Sequence, residues 1–152
     1  MQLLKYRETV YRIIGAAMEV HRCLNYGLLE AVYQEALSME LKSIGIDSKS
    51  EVPIEIYYKG QKMQKTYRID LMVDDIIIEL KSSNGITASH RAQLCNYLRL
   101  THKPLGLLLN FGEPSVHGER WAYDEHSNQC YLLDKYMQPV PNSKQPLINE
   151  DT

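Results

Sequence analysis

No apolar run in these 152 residues approaches the roughly 20 that a membrane-spanning helix needs, so no membrane-embedded segment is expected. The first residues, Met1 to Arg7, lack the layout of a signal peptide. Cysteine is scarce: Cys23, Cys95 and Cys130 are odd in number and far apart, matching neither a disulfide framework nor a zinc site. Reduced thiols in the cytoplasm are the expectation that follows. An excess of positive charge is missing too. Seventeen Lys and Arg stand against 19 Asp and Glu, for a net charge of −2, so the chain has no overall electrostatic footprint for nucleic acid. That weighs against tight autonomous DNA binding, while leaving room for a local basic patch at Arg91, Arg99, His102 and Lys103. No internal repeat or low-complexity segment is present.

The 44% hydrophobic and 24% charged content is that of a globular protein, and the length suits one domain with a real core. Val10, Ile13, Ile14, Ala17, Val20 and Leu24 recur at helical spacing, predicting a helix over about 3–24, in which Gly15 and Ala16 would permit close packing. Gly27 stops it. A second helix is predicted over about 28–44, with an apolar stripe of Leu29, Val32, Tyr33, Ala36, Leu37, Leu41 and Ile44. Alternation over 51–58 predicts a strand, the turn Lys59-Gly60-Gln61 closes it, and strands over 65–73 and 76–81 follow. A helix capped by Thr87 or Ser89 reaches about Leu100. Leu105 to Asn110 is a further strand, and 120–123 with 129–133 form a short hairpin. Residues 1–140 are thus read as one α/β (α+β) domain, a mixed central sheet flanked by helices. The last residues, 141–152, are read as an irregular tail.

The chemistry concentrates between Arg68 and Lys81. Ile76-Ile77-Ile78 is a buried-strand run, and Asp74-Asp75 is the natural turn before it. A hairpin centred there sets Asp70 opposite Glu79 and Arg68 opposite Lys81. Like charges in direct cross-strand contact destabilise a sheet, so something must offset two facing acids at the edge of an apolar run. A divalent metal is the economical candidate. Glu79 and Lys81, two apart, share one face while Leu80 points to the other. Two carboxylates and an ammonium on one face can hold a metal and a water together, although Glu-x-Lys alone is a common surface pair. Further along, His90, Gln93 and Tyr97 fall on one face of the next helix. Glu30 opens the second helix, where the helix dipole alone would favour it, and Glu35 and Glu40 read as solvated.

Gly27, Glu30 and Tyr33 resemble the motif of the GxxExxY family of small bacterial proteins, within the PD-(D/E)XK nuclease superfamily. The resemblance runs from about Thr9 to Gly112 and takes in Asp70, Glu79-Leu80-Lys81, Gln93 with Tyr97, and the strand from Leu105 to Phe111. Arg68-Ile69-Asp70 departs from a literal Pro-Asp pair. The resemblance implies a restriction-endonuclease-like fold in which Asp70, Glu79, Glu30 and the Leu80 carbonyl ligate Mg²⁺ or Mn²⁺. It further implies that Lys81 positions or activates the attacking water, with Gln93 and Tyr97 supporting the lysine or the phosphate. The expected function is a metal-dependent nuclease acting on nucleic acid, DNA ahead of RNA, in the cytoplasm. Two rivals remain: a catalytically silent or partner-dependent binding module, and a metal-dependent hydrolase of another substrate. A homodimer is suggested by the broad apolar surface of the first helix, and an unidentified protein partner fits the small size.

Overall fold

The computed structural model describes residues 3–144, and the end of the expected tail, 145–152, lies outside them. After a 3-10 turn (Leu3–Tyr6) come α1 (Arg7–Leu24), α2 (Glu30–Ser43), β1 (Lys49–Tyr58), β2 (Gln61–Val73) and β3 (Ile76–Lys81). Then follow α3 (Ala88–Thr101), β4 (Leu105–Asn110), β5 (His117–Asp124) and β6 (Gln129–Leu133). The six strands form one sheet in sequence order. Every pairing is antiparallel except β3 with β4, which is parallel because α3 carries the chain back across the sheet. The architecture is the α+β, mixed-sheet domain that the sequence predicts. No described helix is long and apolar enough to cross a membrane.

Two apolar layers sandwich the sheet. On one side α1 and α2 bury Val10, Ile13, Ala17, Val20, Tyr33, Leu37 and Leu41 against Leu71, Ile76, Ile78, Leu80 and alternate residues of β4. On the other side Leu94, Cys95, Tyr97 and Leu98 of α3 cover Ile54, Ile69, Ile77 and Trp121. Since both faces are covered, β3 and β4 read as continuous apolar runs. Gly106 lies under Leu94, whose side chain would have to shift to admit a Cβ there.

Several local expectations change. Gly15 meets nothing, so it mediates no close packing; Ala16 beside it is the buried residue. Leu29 and Val32 are exposed, which narrows the α2 stripe to the buried Tyr33, Leu37 and Leu41, with Ala36 and Ile44 half-buried against the same core. Thr87 rather than Ser89 caps α3, its hydroxyl accepting the His90 amide while His90 Nδ1 accepts the Thr87 amide. His90 is therefore engaged in capping. The expectation of reduced thiols is also corrected: Cys95 and Cys130, both fully buried, form a disulfide that ties α3 to β6, with a Cα–Cα distance of 6.1 Å. Only Cys23 is free among the described residues. The linear spacing of the two cysteines, 35 residues apart, hid a pairing that the packing of α3 on the sheet creates.

Candidate metal centre

The β2–β3 hairpin turns at Asp74-Asp75, with Asp74 in the left-handed region (φ 51°), and pairs Val73 with Ile76, Met72 with Ile77 and Leu71 with Ile78. Continuing that register sets Asp70 opposite Glu79, but the backbone ladder stops one pair short. Side chains take over from it. The Asp70 amide donates to Glu79 Oε1 at 3.0 Å, and the Leu80 amide donates to Asp70 Oδ2 at 2.9 Å.

The regular alternation of β2 also breaks at this point. Ile69 packs in the α3 layer, whereas Leu71, two residues on, packs in the α1/α2 layer. Opposite Asp70 on β1, Glu51 has a positive φ of 53° and is skipped in the pairing. The carbonyl of Asp70 is left to a side chain, and Gln34 Nε2 of α2 donates to it at 3.1 Å and to Glu51 Oε1 at 2.8 Å. Sequence reasoning missed Gln34. Its position one helical turn after Glu30, on the same face, was the available signal.

Glu79 is almost fully buried, and burial followed by the charge of Asp70 pushes its carboxyl up to about 8. Burial raises Asp70 as well, against the pull of the Leu80 amide and the Lys81 charge, while Glu30 adds to the rise. The two acids thus form a desolvated like-charge pair that holds a proton near neutrality. Lys81 stands beside them and donates from Nζ to Gln93 Oε1 at 2.8 Å; Gln93 Nε2 in turn donates to the Tyr97 hydroxyl at 3.3 Å. Burial, then Glu79, pushes the Tyr97 phenol up to about 12, so it stays a neutral hydroxyl.

Glu30 is exposed at the first position of α2 and acts on Asp70 and His90 through its charge. It does not close onto the pair. Among the described residues no three His, Cys, Asp or Glu side chains gather into a ready metal cage. Glu35 is exposed and lines a separate depression with Gln34, Ser38 and Glu51. Leu80 enters the site through its amide, as the donor to Asp70.

Two further clamps hold the parts in place; Asn110 was missed, while Tyr33 was named from the sequence without this role. Buried Asn110, at the end of β4, accepts the amides of Ser83 and Gly112 on Oδ1 and donates from Nδ2 to the Ser83 carbonyl and to Glu113. This fixes the loop that follows Lys81, and a Cβ on Gly112 would collide with the Ser83 backbone. Tyr33 is a structural residue. Its hydroxyl donates to the Asn25 carbonyl and accepts the Leu28 amide, and its ring stacks on Phe111 at 4.7 Å. Gly27, at φ 105°, makes the turn that Tyr33 fastens.

The basic patch expected from the sequence is largely neutralised. Arg91 forks onto Glu119 with two 2.8 Å hydrogen bonds; burial opposes the ionised acid, but Arg91 and Trp121 hold the Glu119 carboxyl below its ordinary value. His102 pairs with Glu125 and Lys103 with Asp75. Arg99 alone of the four is left without such a partner among the described residues.

The family model of the PD-(D/E)XK nuclease superfamily matches residues 7–121, a span that contains every residue of this site. The chain belongs to the PD-(D/E)XK nuclease superfamily. Members of it are generally nucleases and typically work with divalent metal ions. A search of curated proteins finds no significant match. Among solved structures, the crystal structure of SSO0001 aligns over 78% of this chain and 81% of that chain, at 20% identity and a TM-score of 0.44.

The donor set fits a hard divalent cation. All the acidic donors are oxygens: Asp70 and Glu79 each engage one oxygen with a backbone amide and also hydrogen-bond to each other, a shared proton whose place a cation would take. Two protein carboxylates suffice for Mg²⁺ or Mn²⁺, since Mg²⁺ keeps several of its waters.

Proposed function

We propose that this chain is a Mg²⁺- or Mn²⁺-dependent nuclease that hydrolyses phosphodiester bonds of nucleic acid, DNA ahead of RNA. One observation carries the reading: Asp70 and Glu79 converge, desolvated, where the β2–β3 ladder stops, with Lys81 alongside. An arrangement that raises both carboxyls destabilises the metal-free protein at neutral pH, and a bound cation removes the repulsion. Asp70 and Glu79 would hold the ion, with the Leu80 carbonyl and Glu30 as further ligands. When bound, the ion supplies an acidified water and neutralises charge on the phosphate. Lys81, aimed by Gln93, supplies a cation to the phosphate oxygens or holds the attacking water in line. Tyr97 steadies Gln93 and stays protonated. On Gly27, Glu30 and Tyr33 we read the chain further as one of the GxxExxY group.

A partner-dependent module is the second reading, favoured by the exposure of Glu30 and its distance from a closed cluster. Incubating the purified chain with single- and double-stranded DNA and RNA, in Mg²⁺, Mn²⁺ or EDTA, separates the two. The nuclease reading expects metal-dependent cleavage that Asp70→Asn abolishes. Equal cleavage by Asp70→Asn, or none by the wild type with either ion, contradicts it.

A further inference from the structure

Beyond β3 the β1–β2 hairpin runs on as a free arm: β3 pairs only with residues 71–73, whereas β2 begins at Gln61. Between this arm and α3 lies a groove of about 980 Å³, near the upper end of the range for ligand sites. Its lining includes Tyr57, Lys65 and Tyr67 from the arm and Gln93, Tyr97 and Arg99 from α3. Gln93 and Tyr97 also belong to the Lys81 network, so the groove adjoins the candidate metal centre through these two side chains, while Asp70, Glu79 and Lys81 lie outside its lining.

We propose that this groove is the track of an unpaired nucleic-acid strand, with bases stacked on Tyr67 and Tyr57 and phosphates held by Arg99 and Lys65. The proposal deepens the nuclease reading and rests on it for the end at which the strand is cut. Tyr57 and Tyr67 are exposed aromatic rings on a surface arm, where burial of apolar area does not explain them. Tyr67 stands 5.7 Å from Tyr97, centre to centre, with a 45° tilt, and Lys65 Nζ lies over the Tyr67 ring, 5.2 Å from its centre, so a base would take that face as the lysine swings out to a phosphate. A flat ring beside a cation matches the base-plus-phosphate repeat of a nucleic-acid strand. Arg99, exposed two residues beyond Tyr97 on the same helix and lining the same groove, makes no hydrogen bond or ion pair among the described residues, so its charge is available to a phosphate. Duplex DNA is the poorer occupant, because its base faces are already stacked on one another and cannot meet a tyrosine ring. The slightly acidic net charge agrees: an aromatic track with two cations needs no broad basic surface.

The test measures binding apart from cleavage, by fluorescence anisotropy in EDTA with labelled oligothymidylate, oligouridylate and a hairpin duplex. The variants are Tyr67→Ala, Tyr67→Phe and Arg99→Ala, with Lys5→Ala on the opposite side of the sheet as control. We expect the wild type to bind a single strand more tightly than the duplex. Tyr67→Ala should weaken that binding roughly tenfold or more, while Tyr67→Phe, which keeps the ring, stays close to wild type. Arg99→Ala should lower affinity and flatten the log–log salt dependence by about 0.7, the share of one phosphate on a single strand. Wild-type affinity in both Tyr67→Ala and Arg99→Ala, or a wild-type preference for duplex, overturns the proposal. So does a Tyr67→Ala effect on sedimentation alone, which would make the groove a contact between two copies. Metal-dependent cleavage with unaltered binding in the groove variants would sink the track and leave the nuclease. The expected binding changes without cleavage in any metal would do the reverse.

Discussion

Asp70 and Glu79 each hold the other's strand: the Asp70 amide is 3.0 Å from Glu79 Oε1, and the amide following Glu79, that of Leu80, is 2.9 Å from Asp70 Oδ2. Two backbone donors that a continuing ladder would satisfy are satisfied by carboxylates instead. The strands can therefore part at the site without orphaning a buried amide, and both acids stay oriented toward each other in the absence of any ion. That preorganisation is the feature from which the expected chemistry follows.

Lys81 separates binding from turnover. Lys81→Ala removes no carboxylate ligand, so the metal-induced rise in melting temperature should persist, while turnover falls by about 10² to 10³. Paired melts and cleavage rates check it. Loss of metal stabilisation in Lys81→Ala would mean that the lysine holds the site together rather than serving the reaction.

Gln34 is a positioning residue, acting on the site through the Asp70 carbonyl. Gln34→Ala should cost about 1 kcal/mol of stability, the typical worth of one hydrogen bond. It should also weaken Mn²⁺ binding about tenfold, the lower end for outer-shell partners of a metal site. Gln34→Glu, which keeps an acceptor but loses the donor, should not rescue it. Unchanged Mn²⁺ affinity in Gln34→Ala, measured by titration calorimetry, would assign Gln34 to the fold alone.

The hairpin was legible in the sequence because its signals are local. Asp74-Asp75 is a turn pair, the isoleucine run is a buried strand, and together they set the register that faces Asp70 with Glu79. The pairing Gln93–Tyr97 was legible for the same reason, being one helical turn. What escaped was everything decided across the fold. Gln34 meets Asp70 only because α2 packs beside β2, Asn110 reaches Ser83 only because β3 and β4 run parallel, and Cys95 meets Cys130 only through the seating of α3 on the sheet. The basic patch was misread because Glu119, Glu125 and Asp75, which neutralise three of its members, are distant in sequence. The break in alternation at Asp70 leaves no mark in the pattern, since Ile69 and Leu71 are both apolar and only their layers differ.

Acidity gives a further expectation. The Glu79 carboxyl, ordinarily at 4.5, is raised to about 8 by burial and by Asp70. Between those values the folded chain keeps a proton that the unfolded chain has lost, so stability of the metal-free protein falls as pH rises through the window. Glu79→Gln has no such proton, and its amide oxygen still accepts the Asp70 N–H. Its stability should fall less than that of the wild type between about pH 5 and about pH 8. Urea unfolding in EDTA at the two pH values reads the difference. A wild-type loss no larger than that of the variant would show that the pair carries no strain.

The central claim is that Asp70 and Glu79 face each other in order to hold a cation. Thermal melts of wild type and Asp70→Asn at neutral pH, each in EDTA and in saturating Mn²⁺, test it most directly. The asparagine keeps an oxygen for the Leu80 amide while removing one of the two repelling charges. The account predicts that metal-free Asp70→Asn melts at or above the wild type, and that Mn²⁺ raises the wild-type melting temperature but not the variant's. A strongly destabilised Asp70→Asn in EDTA, or an equal Mn²⁺ shift in both proteins, would contradict it.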